Sequence, residues 1–231
     1  MASVDPRIIL QDGLAVRLKR SARARRMVLR VPRDGSGAVL TLPAHVPLAE
    51  GQAFAESKRG WLGRALSRLP ERHHAVAGAL LPVEGEELIL SPASVRRPEM
   101  REGALLIPQG RPVGPVAAAF LQQLALLRLR RACDGFSAFL NRPYRAIVLR
   151  DTRSRWGSCT HDGRLMFSWR LVMAPPAVLT YVAAHEVAHL AHMDHSPRFW
   201  SQVEALMPHH ATHRAWLRAY GGDLMLWQFR D

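Results

Sequence analysis

The sequence predicts an α+β protein with a mainly β amino-terminal portion, and three observations carry that prediction. Short apolar–polar alternations broken by glycine and proline fill much of residues 13–107. Longer helical spacings fill most of the remainder. The pattern His185-Glu186-Val187-Ala188-His189 lies inside one of those helical stretches. These features divide the chain into residues 1–112, mainly β with one helix, and residues 113–231, which hold the histidine pattern. At 231 residues and 48% hydrophobic composition, the chain can bury one sizeable core or two small ones.

The elements follow in order. Residues 14–18, 27–31 and 38–42 read as strands, and Asp34-Gly35-Ser36-Gly37 reads as a hairpin turn. Residues 48–69 read as a helix with Phe54, Trp61, Leu62 and Leu66 inward. Residues 81–107 form short strands, and 110–115 a linker. Residues 116–140 form a long helix with Phe120, Leu124, Leu127 and Phe136 inward, and Asp134-Gly135 is a candidate break. A strand at 145–149 precedes a hairpin over 157–169 that turns at Asp162-Gly163. Pro175-Pro176 opens the next helix, where Leu179, Val182, Ala183, Glu186, His189 and Leu190 keep helical spacing. Ser196-Pro197 has the form of an N-cap and a first-turn proline, opening a helix over 197–206. A last helix over about 211–220 closes at Gly221-Gly222. No internal repeat or low-complexity segment interrupts this order.

Two histidines four apart on a helix project from one face, so both imidazoles can reach a single metal ion. Glu186 sits at the edge of that face, placed to take a proton from water activated by the ion. A catalytic zinc takes three protein ligands and keeps one open position. His192, His195 and Glu204 are the candidates for the third. His195 is the choice, because the helix must end near Met193 and a ligand on the turn can fold back. Glu204, on the next helix, is the rival. Asp194 is placed to accept from a ligand N–H. Cys159 lacks neighbouring cysteines and reads as a small buried residue.

These segments carry a resemblance. Ser154-Arg155-Trp156-Gly157-Ser158-Cys159, Trp169-Arg170-Leu171, the stretch from Tyr181 to His189, then His195-Ser196 and Phe199-Trp200 resemble the YgjP-like metallopeptidase domain. That family is related to the SprT-like zincins. The match is strongest over residues 145–220 and extends more weakly to Arg17 through Arg30, Leu42-Pro43 and Lys58-Arg59-Gly60-Trp61-Leu62. Ser168 and Asp194 depart from it, each standing where asparagine is usual. The resemblance implies a zincin-like catalytic domain in which H-E-x-x-H, five residues, then H hold Zn²⁺. Here those ligands are His185, His189 and His195. It also implies an edge strand beside the metal helix that receives an extended substrate. Residues 165–168, with Phe167, are the expected strand.

The formal charge is +13, and nearly all of it is arginine, since lysine occurs only at Lys19 and Lys58. Eight basic residues lie between Arg17 and Arg33. They form a candidate polyanion stripe, with Arg23, Arg25, Arg26 and Arg30 foremost, or else a solvated strand face. No run of eighteen apolar residues and no secretory leader pattern is visible, and two cysteines make no disulfide framework. The expectation is therefore a cytoplasmic protein without a membrane partner.

The leading functional expectation is a zinc-dependent hydrolase, a metallopeptidase with Glu186 as its base. Candidate oxyanion stabilisers are Tyr181, His213, Tyr220 and Arg155. A second expectation keeps the metal but makes the substrate a nucleoside triphosphate, with Arg153 and Arg155 on its phosphates. A third is a DNA-associated protein with a structural zinc. Glu186 argues against the third, because a closed four-ligand site has no use for an acid beside it.

Overall fold

The computed structural model describes residues 6–32, 37–69, 71–152 and 154–230. Two compact units emerge, Met1–Arg72 and His73–Asp231. The boundary therefore falls well before the expected 112/113. The reason is burial: Leu81, Val83, Leu90, Leu105 and Ile107 share one core with Leu121 and Leu129 of the long helix. The strands of residues 80–108 cannot be separated from the catalytic part without exposing both faces.

The first unit contains β1 (Arg7–Ile9), β2 (Ala15–Ser21), β3 (Val28–Arg30), β4 (Ala38–Pro43), α1 (Leu48–Ser57) and α2 (Arg59–Ser67). Its sheet runs β1-β2-β4-β3, with β2 and β4 parallel and β3 antiparallel to β4. Residues 34–36 of the expected hairpin turn lie outside the described residues. Val16, Leu18, Leu40 and Leu42 alternate inward and meet Ala55 and Leu62. The expected single helix is two, split at Lys58. Its buried row is Gly51, Ala55 and Leu62, whereas Trp61 is 43% exposed. Gly51 lets the helix lie close to β4, since a Cβ there would stand 3.0 Å from Leu42 Cδ1.

The second unit begins with β5 (His73–His74), β6 (Leu80–Val83), β7 (Glu86–Ala93), β8 (Glu99–Arg101) and β9 (Ala104–Pro108). The last four form a sheet in the order β6-β7-β9-β8. Then come α3 (Val113–Leu140), β10 (Ala146–Arg150), β11 (Gly157–Cys159), β12 (Arg164–Ser168) and a 3₁₀ turn, Trp169–Met173. They are followed by α4 (Pro176–Ala188), α5 (Pro197–Leu206), α6 (His210–Leu224) and β13 (Trp227–Gln228), which pairs with β5.

The inner face of α3 is Ala117, Leu121, Ala125, Leu129 and Cys133, not the expected row of Phe120, Leu124, Leu127 and Phe136. Leu127 is 60% exposed, while Phe120, Leu124 and Phe136 lie at the flank, partly buried. Ala117, Ala125 and Cys133, alternating with Leu121 and Leu129 along that row, let α3 approach the 3₁₀ turn and α4 closely, a gain larger side chains would forfeit. Asp134-Gly135 does not break α3, which ends at Asn141 in a left-handed cap.

Arg170 ties the unit together. It is 5% exposed, donates to both carboxylate oxygens of Asp151 and reaches the carbonyls of Leu224 and Trp227. It also lies over the rings of Trp169 and Phe229. No helix among the described residues is long and apolar enough to cross a membrane.

Candidate metal centre

α4 starts at Pro176, which needs no N–H partner at that position. Val178, Leu179, Val182, Ala183, Val187 and Ala188 are all buried, so the helix is covered on most sides. Polar groups on such a helix require compensation. Three of them, His185, Glu186 and His189, fall on adjacent turns.

The helix stops at Ala188, earlier than expected, with His189 as its C-cap. Leu190 and Ala191 donate to the carbonyls of Val187 and Ala188, tightening the last turn. The chain then reverses. Ser196 caps α5 by accepting from the Phe199 N–H at 3.5 Å, with Pro197 next to it. His195 is thereby carried back over the end of α4.

The ligand atoms of His185, His189 and His195 all lie within 4.8 Å of one another. The Nε2 atoms of His185 and His195 stand 3.2 Å apart. Two nitrogens about 2.0–2.1 Å from one tetrahedral ion are separated by about 3.3 Å, so this pair fits a zinc edge. His189 Nδ1 lies 2.9 Å from the His192 carbonyl. A carbonyl only accepts, so Nδ1 carries the proton and Nε2 is left free to bind metal. Burial pushes His185 down to about 3, helped by His189 and His195, and burial lowers His189 as well. Both imidazoles are neutral at physiological pH, the form that ligates. Phe199 packs against all three rings, at 4.9, 4.4 and 4.8 Å between centroids.

Glu186 is 5% exposed, and burial raises it to about 8 against the pull of Arg155. Its Oε2 is buried with no protein partner, as is His185 Nδ1. An orphaned carboxylate oxygen beside three converging imidazoles is what a bound ion and its water would satisfy. The residues present therefore fit the metal. The close approach depends on Gly157 of β11, where a Cβ would lie 2.5 Å from Glu186 Oε1.

Beside the histidines opens a cavity of about 290 Å³ lined by Trp156, Tyr181, His185, Glu186, Arg214 and Arg218. Trp156 packs on Gly221, where a Cβ would meet its ring at 2.9 Å. Gly221 thus serves close packing inside α6, which runs through Gly221-Gly222 to Leu224 rather than ending there.

The family model for the YgjP-like metallopeptidase domain matches residues 25–220. The chain belongs to that family. Its fold is accordingly α+β and zincin-like, and a metallopeptidase family implies a bound metal ion. No curated protein sequence matches the chain significantly. A crystal structure of the metallopeptidase zymogen of Pyrococcus abyssi abylysin is similar at 18% identity. It covers 40% of this chain and 92% of its own length, with a TM-score of 0.36.

Other expected site residues sit differently. Phe167, expected on an edge strand that receives substrate, is fully buried, and β12 is the central strand of β10-β12-β11. The edge beside α4 is β11, which among the described residues pairs with β12 along one side only. Arg153 lies outside the described residues, and Arg155 is exposed near Glu186. Glu204 is not among the converging groups; it accepts from the His209 N–H and holds His210 Nδ1 at 2.6 Å. Asp194 accepts from the Ser196 N–H, not from a ligand histidine. Ser168 Oγ is buried without a partner, at the position where asparagine is usual. Tyr220 is 55% exposed and packs on Trp216, whereas Tyr181 is buried against His185. Sequence reasoning missed Arg214 and Arg218, although their spacing with Leu217 and Gly221 marks one helical face.

Proposed function

We propose that the protein is a zinc-dependent metallopeptidase with Glu186 as its general base. The observation that carries this reading is the convergence of three imidazoles beside a buried, unpartnered glutamate. His185, His189 and His195 would hold the ion. When bound, zinc supplies Lewis-acid activation of water and of the scissile carbonyl. With the cation bound, Glu186 would be ionised against the rise that burial alone causes, and its Oε2 would accept the proton as water attacks and deliver it to the departing amine. The apolar contact of Phe199 with the three rings limits their freedom and keeps water from their flanks. Tyr181, held against His185, is the candidate donor to the carbonyl oxygen. An extended peptide would lie along β11, where main-chain bonds hold it without regard to sequence. Unpaired Cys133 and Cys159 suit a reducing, cytoplasmic setting.

The test joins metal analysis to hydrolysis. Glu186→Gln is nearly isosteric and should keep one zinc per chain while lowering peptide hydrolysis by about 10²–10⁴-fold. Activity within tenfold of the parent would remove Glu186 from its role.

A further inference from the structure

The cavity beside the histidines has an unbalanced charge. Arg214 and Arg218 lie four residues apart on α6 and line one wall with Leu217. Among the described residues no carboxylate pairs with either. The carboxylate in the wall is Glu186, which is buried against Gly157. Arg214 is also held in place, with its guanidinium carbon 4.5 Å from the centroid of the Trp200 ring. Trp200 in turn stacks on His210, which Glu204 anchors. The result is a guanidinium fixed by stacking, with a second one turn away, facing a space of about 290 Å³. That space suits a single residue.

A guanidinium offers a planar fork of donors that matches a carboxylate, and a stacked one loses little freedom on binding it. We propose that this cavity is a specificity pocket for a carboxylate next to the scissile bond, taken by Arg214 and Arg218. The inference rests on the peptidase reading and names the substrate class of that site. An acidic side chain and a free peptide carboxyl terminus present the same group, and the experiment separates them.

Zinc-loaded full-length protein is given a peptide library with free and amidated carboxyl termini, and cleavage sites are read by mass spectrometry. Enrichment of Asp or Glu at one position beside the cut in amidated peptides assigns the pocket to a side chain. Cleavage confined to bonds near free termini assigns it to the terminal carboxylate. A matched pair differing only as Glu or Gln at that position, or as free or amidated terminus, should differ about 10- to 100-fold in kcat/KM. Arg214→Gln and Arg218→Gln should each bring that ratio towards one; Arg218 is exposed, so its replacement does not threaten folding. Cleavage with neither acid enrichment nor a preference for free termini, or a ratio unmoved in both variants, overturns the inference and leaves the peptidase reading standing. No cleavage of any peptide overturns the peptidase reading, and the inference with it. Hydrolysis of a nucleoside triphosphate that both variants abolish would make the pocket's ligand a phosphate and overturn it too.

Discussion

The two units use arginine in opposite ways. Residues 1–72 carry fourteen Lys and Arg against six Asp and Glu, whereas residues 73–231 carry eighteen against thirteen. In the smaller unit the excess is on the surface: Arg23, Arg25 and Arg26 lie in the β2–β3 connection and Arg30 ends β3, all exposed. In the larger unit, arginines are built into structure. Arg170 is buried on Asp151, Arg128 holds Glu84 through two bonds, and Arg214 stacks on Trp200. The charge of a segment therefore says little about its role; burial and fixed partners decide whether a guanidinium holds the fold, reads a ligand or faces water. The smaller unit has exceptions as well, since Arg20 donates to the carbonyls of Ala44 and Val46 and Arg59 donates to Glu56 and Gln11.

The contrast breaks first if the chemistry does not reside in the larger unit. His195→Ala should remove most of the bound zinc, while His192→Ala should keep it, because only the His192 carbonyl serves the site. Metal analysis after dialysis decides, and the reverse pattern would displace His195 from the ligand set.

Arg170→Met sharpens the structural half of the contrast. It strands Asp151 and two buried carbonyls, and should cost about 2–4 kcal/mol, the lower end reflecting the half-exposed Asp151. Native-state hydrogen exchange should show the loss in α3 and α4 and leave β2 and β4 protected. A loss under 1 kcal/mol would mean that the bonds of Arg170 do not hold the unit together.

Gly157→Ala tests placement rather than stability. The added methyl must push Glu186 away, and a displacement near 1 Å at the reacting group costs about 10²-fold in rate. Zinc content should stay near the parental value. Unchanged kcat would mean that Glu186 has room that the strand edge does not show.

The smallest expected effect belongs to the smaller unit. If Arg23, Arg25, Arg26 and Arg30 contact a polyanion, changing all four to glutamine should flatten the salt dependence of DNA binding. Each lost phosphate contact lowers the log–log slope by about 0.7–0.9. Peptide hydrolysis should be unaffected. No binding near physiological salt, or an unchanged slope, would leave these arginines as solvent-facing charge.

Parts of this architecture are legible locally. The helix of the H-E-x-x-H pattern, the Ser196-Pro197 start of α5 and the 157–168 hairpin all follow from caps, turns and periodicity. Element ends were less legible. α4 stops at Ala188 where the chain tightens into a turn, and α6 continues past two glycines, the first of which makes room for the Trp156 ring. In both cases a contact absent from the local sequence outweighs the local preference.

The pairing of His185 with His189 and the adjacency of Glu186 were set by the sequence alone, since a helix of 3.6 residues per turn leaves no other arrangement. Which strand forms the edge was not. Alternation gives β12 two faces but says nothing of its neighbours, and only long-range pairing made it central and buried Phe167. The same holds for α3, where several apolar rows compete and packing against α4 selects the one with small residues. It holds for Gly157, whose missing side chain has meaning only once Glu186 lies against it. Local energetics decide where elements form and which residues share a face; the choice among faces and edges belongs to the core, because burial is counted over the whole fold.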